Sequence, residues 1–208
     1  MIPIFYRFIQ GLLFLIFKLW NRFEFFGSEN IPKSGFILAA NHVSYLDPPV
    51  LGAGIRRHVT FLAKEELFKV SWLGPVITWL GAMPVMGQSD FRTLRAMIRA
   101  LKQGRIICIF PEGTRSQNGE ISENFKSGVA FLAHTAQVPV VPCYIDGTDA
   151  SWPRGGKSFR PARIRVFLGR PFEIPDVAEA KNTHYEGFAQ MIMDAIKALK
   201  VLATGANP

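Results

Sequence analysis

Short apolar runs alternate with amphipathic helical stretches along this chain, and that alternation limits the fold more than any other feature of the sequence. The runs at Gly35 to Ala40, His58 to Ala63, Ala82 to Met86, Arg105 to Phe110, Pro139 to Ile145 and Ile164 to Leu168 read as strands. Between them, Phe91, Leu94, Met97, Ile98 and Leu101 recur at helical spacing, so a helix is expected over Asp90 to Gln103, closed by Gly104. Two more helices are expected at Phe125 to Gln137 and His184 to Leu202. This pattern predicts an α/β fold: a single domain with a mixed, largely parallel sheet flanked by helices. A chain of 208 residues can bury a core of that kind without disulfides. Cys108 and Cys143 each fall inside an apolar run, so a disulfide framework is not expected and a reducing, cytoplasmic setting is. The last six residues, from Ala203, read as a frayed tail.

The first twenty residues stand apart. Fifteen of them are apolar, interrupted by Arg7, Gln10, Gly11 and Lys18 and followed by Asn21 and Arg22. Wound at about 100° per residue, these polar positions fall within one arc of about 120°, while Phe5, Phe8, Ile9, Leu12, Leu13, Ile16 and Leu19 fill the rest of the circumference. The run is too broken for a conventional membrane-spanning helix. An amphipathic helix lying in a membrane surface fits it, with Arg7, Lys18 and Arg22 near anionic headgroups, each contributing about 1 kcal/mol. A helix packed on its own domain would also cover the apolar face. A cleaved signal peptide fits less well, because no small-residue cleavage site follows.

Charge adds to that picture. Lys and Arg number 24 against 16 Asp and Glu, a formal net charge of +8, so an anionic partner is expected: nucleic acid, membrane or an acidic carrier. Arg92, Arg95, Arg99 and Lys102 form a basic stripe along the Asp90 to Gln103 helix, which suits solvent, anionic lipid or an acidic carrier. Residues 152–160 mix aromatic and basic side chains as some nucleic-acid binders do, but a nucleic-acid reading leaves the chemistry below without a task.

In open α/β sheets ligands bind beyond the carboxyl ends of strands. The first expected strand runs into Asn41-His42-Val43-Ser44-Tyr45-Leu46-Asp47-Pro48, and the fourth into Pro111-Glu112-Gly113-Thr114-Arg115-Ser116. On one continuous helix His42 and Asp47 would point about 140° apart, so they meet only if the segment between them turns. If they meet, the carboxylate fixes the imidazole tautomer and leaves the other ring nitrogen free to take a proton from a hydroxyl. Asp47-Pro48 is also the signature of a helix N-cap followed by proline at the first helical position. In the second block, Gly113 allows close backbone approach and Arg115 can hold a phosphate or carboxylate with two parallel hydrogen bonds. Ser44 and Ser116 lie in no nucleophile elbow, and no second ligand at metal spacing accompanies His58, His134 or His184, so neither a nucleophilic serine nor a metal site is expected.

Asn-His-x-Ser-x-x-Asp, followed about 70 residues later by Phe-Pro-Glu-Gly-Thr-Arg-Ser, resembles the glycerolipid acyltransferase family whose central members are the 1-acylglycerol-3-phosphate acyltransferases. The resemblance extends through Ala63-Lys64-x-Glu66-Leu67-Phe68, Gly81-Ala82-Met83-Pro84-Val85, Phe125-Lys126-x-Gly128 and the Val-Pro-Val-Val-Pro run at 138–142. It implies that His42 is the general base, oriented by Asp47, and that Lys64, Glu112, Gly113, Thr114 and Arg115 hold the acceptor's glycerol phosphate. The implied reaction moves an acyl chain from a thioester on coenzyme A or acyl carrier protein to the free hydroxyl of lysophosphatidic acid, giving phosphatidic acid. No cofactor beyond the acyl donor and no nucleic-acid partner is implied. Residues 1–22 would be the membrane-associating helix and 23–208 the acyltransferase domain, peripheral or monotopic at the cytoplasmic face of the cell membrane. The chain departs from the family at Gly87, where an arginine is usual, so acyl transfer to another lyso-lipid stays open as an alternative, as does a non-catalytic basic binding module.

Overall fold

A computed structural model describes residues 4–85, 91–116, 119–156, 158–175 and 182–205, so Gly87 and two expected element ends, Met86 and Asp90, lie outside the described residues. In chain order the elements are α1 (Ile4–Trp20), β1 (Glu24–Phe26), β2 (Phe36–Ala40), α2 (Asp47–Gly54), β3 (Val59–Lys64), α3 (Glu65–Phe68), α4 (Leu73–Trp79), β4 (Met83–Val85), α5 (Phe91–Lys102), β5 (Ile106–Ile109), α6 (Gly128–Ala136), β6 (Val140–Asp146), α7 (Thr148–Ser151), β7 (Arg165–Leu168) and α8 (Asn182–Gly205).

The strands form one sheet in the order β1-β7-β6-β2-β5-β3-β4. β6, β2, β5, β3 and β4 run parallel, β7 pairs antiparallel with β6, and β1 follows β7 in parallel. This is the mixed, largely parallel sheet the alternation predicts. All five residues of β2 are buried, and they divide by parity between two cores. Phe36, Leu38 and Ala40 pack on the side of α1 and α2, whereas Ile37 and Ala39 pack with α5, α6 and α8. A strand covered on both faces reads as an unbroken apolar run, which is why Phe36 to Ala40 shows no alternation in sequence.

Some elements escaped the sequence pattern for local reasons. β1 has three residues, too few for a period, and α2 opens on Asp47-Pro48-Pro49 with little amphipathic contrast. The helix expected from Phe125 begins only at Gly128, because the Lys126 backbone N–H donates to the Pro111 carbonyl at 2.9 Å and holds that segment against the loop after β5.

The helix α1 is docked on the domain along a narrow seam. Tyr6 and Phe17 are buried, Leu13 packs against the core, and the Tyr6 hydroxyl accepts from the Val59 N–H. Gln10, counted in the polar arc, turns inward: its side-chain amide donates to the Gly52 and Ile55 carbonyls, both at 2.6 Å. Those acceptors lie at the end of α2, where carbonyls lack helical partners. The opposite face, with Ile4, Phe5, Phe8, Leu12, Leu15, Ile16 and Leu19, is exposed. Trp72, just before α4, and Val76 and Trp79 on it are exposed as well, and the Trp79 ring meets Phe5 edge-on with centroids 4.1 Å apart. No helix among the described residues is long and apolar enough to cross a membrane.

Candidate active site

Because β2, β5, β3 and β6 are parallel, their carboxyl ends share one rim, and the loops that follow them meet there. Asn41 ties the first of these loops to the end of β6: its side-chain amide donates to the Ile145 carbonyl at 3.0 Å and its carbonyl oxygen accepts from the Ile145 N–H at 2.7 Å. The next residue, His42, therefore leaves β2 from a fixed point.

The chain between His42 and Asp47 turns, and the two side chains meet. His42 Nδ1 lies 2.7 Å from Asp47 Oδ2, with the imidazole 18% exposed and the carboxylate 0%. The same oxygen accepts from the backbone N–H groups of Val43 at 2.8 Å and Ser44 at 2.9 Å. Asp47 is also the first residue of α2, with Pro48 inside its first turn. A helix does start here, but Leu46 and not Asp47 is its N-cap: the Asp47 carboxylate points back into the turn toward His42 and caps nothing. With Nδ1 engaged, Nε2 is the ring nitrogen left for a substrate, and no protein partner is recorded for it among the described residues. The Phe110 ring stacks on the imidazole at 4.0 Å between centroids and 18° between planes, so the ring is held flat against the end of β5.

The second loop is bonded to the first. Ser116 N–H donates to the His42 carbonyl at 2.8 Å, and Glu112 is nearly buried, its two carboxylate oxygens accepting from the N–H groups of His42 at 2.9 Å and Ser122 at 3.1 Å. Burial pushes the Glu112 carboxyl above the usual range, and those two amides only partly offset it. Both of its oxygens are thus occupied in bracing the two loops. Gly113, at φ +68°, and Thr114 are exposed. The Arg115 guanidinium lies 3.5 Å over the Tyr45 ring, a contact that joins the two blocks directly.

Lys64 ends β3 on the same rim and is exposed, with β5 between its strand and the one leading to His42. That puts the two strands roughly 10 Å apart by ordinary strand spacing. Lys64 pairs in register with Val85, the last described residue before Gly87.

Three participants were not assigned from sequence. The Thr148 hydroxyl donates to Asp47 Oδ1 at 2.6 Å. Arg154 donates to the Arg115 carbonyl at 2.9 Å, and the Lys126 side chain crosses Gly113 closely enough that a Cβ there would come within 3.4 Å of its ammonium. The rule that chemistry follows strand ends points to Thr148, two residues past β6, but the sequence holds no motif there.

The buried Cys108 and Cys143 thiols are pushed well above their ordinary range by desolvation, with the Asp47 charge adding to it, so they stay protonated and unreactive. His58 hydrogen-bonds the Leu80 carbonyl and stacks near Tyr6, a structural setting. Among the described residues no group of three His, Cys, Asp or Glu is arranged to hold a metal.

An imidazole backed by a buried carboxylate, with guanidinium and ammonium groups close by and no activated protein nucleophile among the described residues, suits group transfer onto a substrate's own hydroxyl. The acyltransferase family model matches residues 22–146. The 1-acyl-sn-glycerol-3-phosphate acyltransferase of Bacillus subtilis is 30% identical over 176 residues, 83% of this chain and 85% of that protein. A probable 1-acyl-sn-glycerol-3-phosphate acyltransferase of Mycoplasma pneumoniae is 36% identical over 132 residues, 58% of this chain and 47% of that one. The crystal structure of the 1-acyl-sn-glycerophosphate acyltransferase PlsC from Thermotoga maritima superposes with a TM-score of 0.81 at 29% identity, covering 98% of this chain and 80% of that one. The chain belongs to the acyltransferase family and is an O-acyltransferase of the 1-acylglycerol-3-phosphate acyltransferase type.

Proposed function

We propose that this enzyme acylates the free hydroxyl of lysophosphatidic acid from an acyl thioester of coenzyme A or acyl carrier protein, with His42 as general base. The contact between His42 Nδ1 and Asp47 Oδ2 at 2.7 Å carries the reading. It commits one ring nitrogen to the carboxylate and leaves Nε2 to remove a proton. An unactivated alcohol is too weak an acid to attack a thioester at neutral pH, and a positioned base contributes about 10² to 10⁴ in rate. As Nε2 takes the hydroxyl proton, the acceptor oxygen bonds to the thioester carbonyl carbon. When that intermediate collapses, the C–S bond breaks and the imidazolium returns the proton to the departing thiolate. Arg115 is the phosphate ligand of this reading, with Lys64 on the same rim. Gly113 and Thr114 offer the acceptor exposed backbone and a hydroxyl, while Glu112 serves the pocket by bracing it.

The substrates of this reading are lipids, and α1 supports a peripheral seat on a membrane surface, which this reading puts at the cytoplasmic face. Its outward face is apolar, Arg7 and Lys18 are exposed beside that face, and the stripe on α4 extends it through the Phe5–Trp79 contact. An acyl chain then need not cross water, which would cost about 0.8 kcal/mol per CH₂.

The test is an assay offering radiolabelled acyl-CoA or acyl carrier protein with a panel of lyso-lipids. Phosphatidic acid from lysophosphatidic acid is the expected product, and His42→Ala is expected to lower kcat by at least about a hundredfold. Preference for another lyso-lipid would reassign the acceptor, release of free fatty acid would make the pair a water-activating one, and full activity in His42→Ala would remove the base.

A further inference from the structure

We propose that Thr148 is a positioning residue for the transfer reaction: its hydroxyl fixes the plane of the Asp47 carboxylate and, through it, the imidazole of His42. The inference rests on His42 acting as the base.

Asp47 distributes its hydrogen bonds unevenly. Oδ2 takes three donors, His42 Nδ1 and the Val43 and Ser44 amides, all from its own turn. Oδ1 takes the Thr148 hydroxyl at 2.6 Å, from a residue 101 positions further along the chain, and no other donor to it is recorded among the described residues. The last torsion of an aspartate is broad, so three bonds converging on one oxygen leave the carboxylate able to swing about that oxygen. A donor on the other oxygen sets the plane, and the imidazole bonded to Oδ2 follows that plane. Both partners are fully buried, so an Oδ1 deprived of the hydroxyl is left out of reach of bulk solvent.

Thr148 is itself held in place. Gly147 precedes it at φ +80°, and a Cβ there would stand 2.0 Å from the Arg163 carbonyl oxygen, so the chain leaves β6 along one path. At the other end of α7 the Ser44 hydroxyl donates to the Trp152 carbonyl at 2.8 Å, a second link between α7 and the His42–Asp47 turn. The Ser151 hydroxyl donates to the Arg160 carbonyl at 2.8 Å and steadies α7 from behind. Thr148 lies outside the 22–146 stretch that the family model matches.

Steady-state kinetics of Thr148→Val, Thr148→Ser and Thr148→Ala test this on the full-length enzyme. Valine keeps the shape and loses the donor, and kcat is expected to fall 10- to 100-fold while KM for the acceptor stays within about twofold. Serine is expected to keep kcat within about threefold of the parent. Should the valine variant not fold, serine against alanine decides, because those two differ by the hydroxyl alone, and alanine is expected to be at least tenfold slower. A hydroxyl that only stabilised the fold would lower the melting temperature and leave kcat of the folded enzyme in place. Near-parental kcat in the valine or alanine variant, or a serine variant as slow as alanine, overturns the proposal. His42→Ala assayed alongside separates the two failures: full activity there sinks the base reading, whereas an inactive His42→Ala with a fully active valine variant sinks Thr148 alone.

Discussion

At the scale of single residues, buried charge is the recurring problem and hydrogen bonding the recurring answer. Asp47 keeps four donors in a place without water, as a carboxylate must. Glu112 keeps two and carries a raised pKa, with desolvation the leading cause. Folding therefore favours the protonated form of Glu112. Its contribution to stability is fully present below the carboxylate's unfolded pKa and declines as pH rises through the higher folded value. Glu112→Gln is expected to flatten the pH dependence of the melting temperature just above the ordinary carboxylate range. It should also weaken the join between the two loops, because a side-chain amide offers only one accepting atom to two backbone N–H groups. Thermal melts of both proteins across that range check it, and an unchanged pH profile would show that Glu112 does not carry the effect.

Elements show where periodicity speaks and where it stops. In α1 the helical period gathers Arg7, Gln10, Gly11 and Lys18 into one arc, but α1 ends at Trp20, so Asn21 and Arg22 fall beyond it, with Asn21 buried against Ser151, and the period cannot say which arc faces the protein. Gln10 belongs to that arc and yet faces inward, because two carbonyls near the end of α2 await a donor there. The seam through Tyr6, Gln10, Leu13 and Phe17 therefore lies at the edge of the polar arc, and a broad apolar face is left outward. Leu12→Glu combined with Leu15→Glu alters that face without touching the seam. The variant is expected to melt with the parent and to lose most of its cosedimentation with anionic liposomes, since each exposed leucine moved into lipid is worth about 1.5–3 kcal/mol. Full cosedimentation would show that lipid contact lies elsewhere.

Across the whole molecule, one sheet separates two cores, and β2 serves both. Leu38→Ala removes packing from the side of α1 and α2 and is expected to cost about 2–5 kcal/mol. Urea unfolding followed by tryptophan fluorescence should show a lower midpoint with an unchanged slope if the two cores unfold together. The sequence by itself determined the α/β class, the placing of the motifs at strand ends, and the family, because strand and helix periods and contiguous motifs are properties of neighbouring residues. The strand order, the inward turn of Gln10, the bracing part taken by Glu112 and the meeting of Thr148 with Asp47 were decided only by the tertiary structure. Those contacts join residues that are tens to a hundred positions apart, and they form only once the parallel strands have brought their carboxyl ends to one rim.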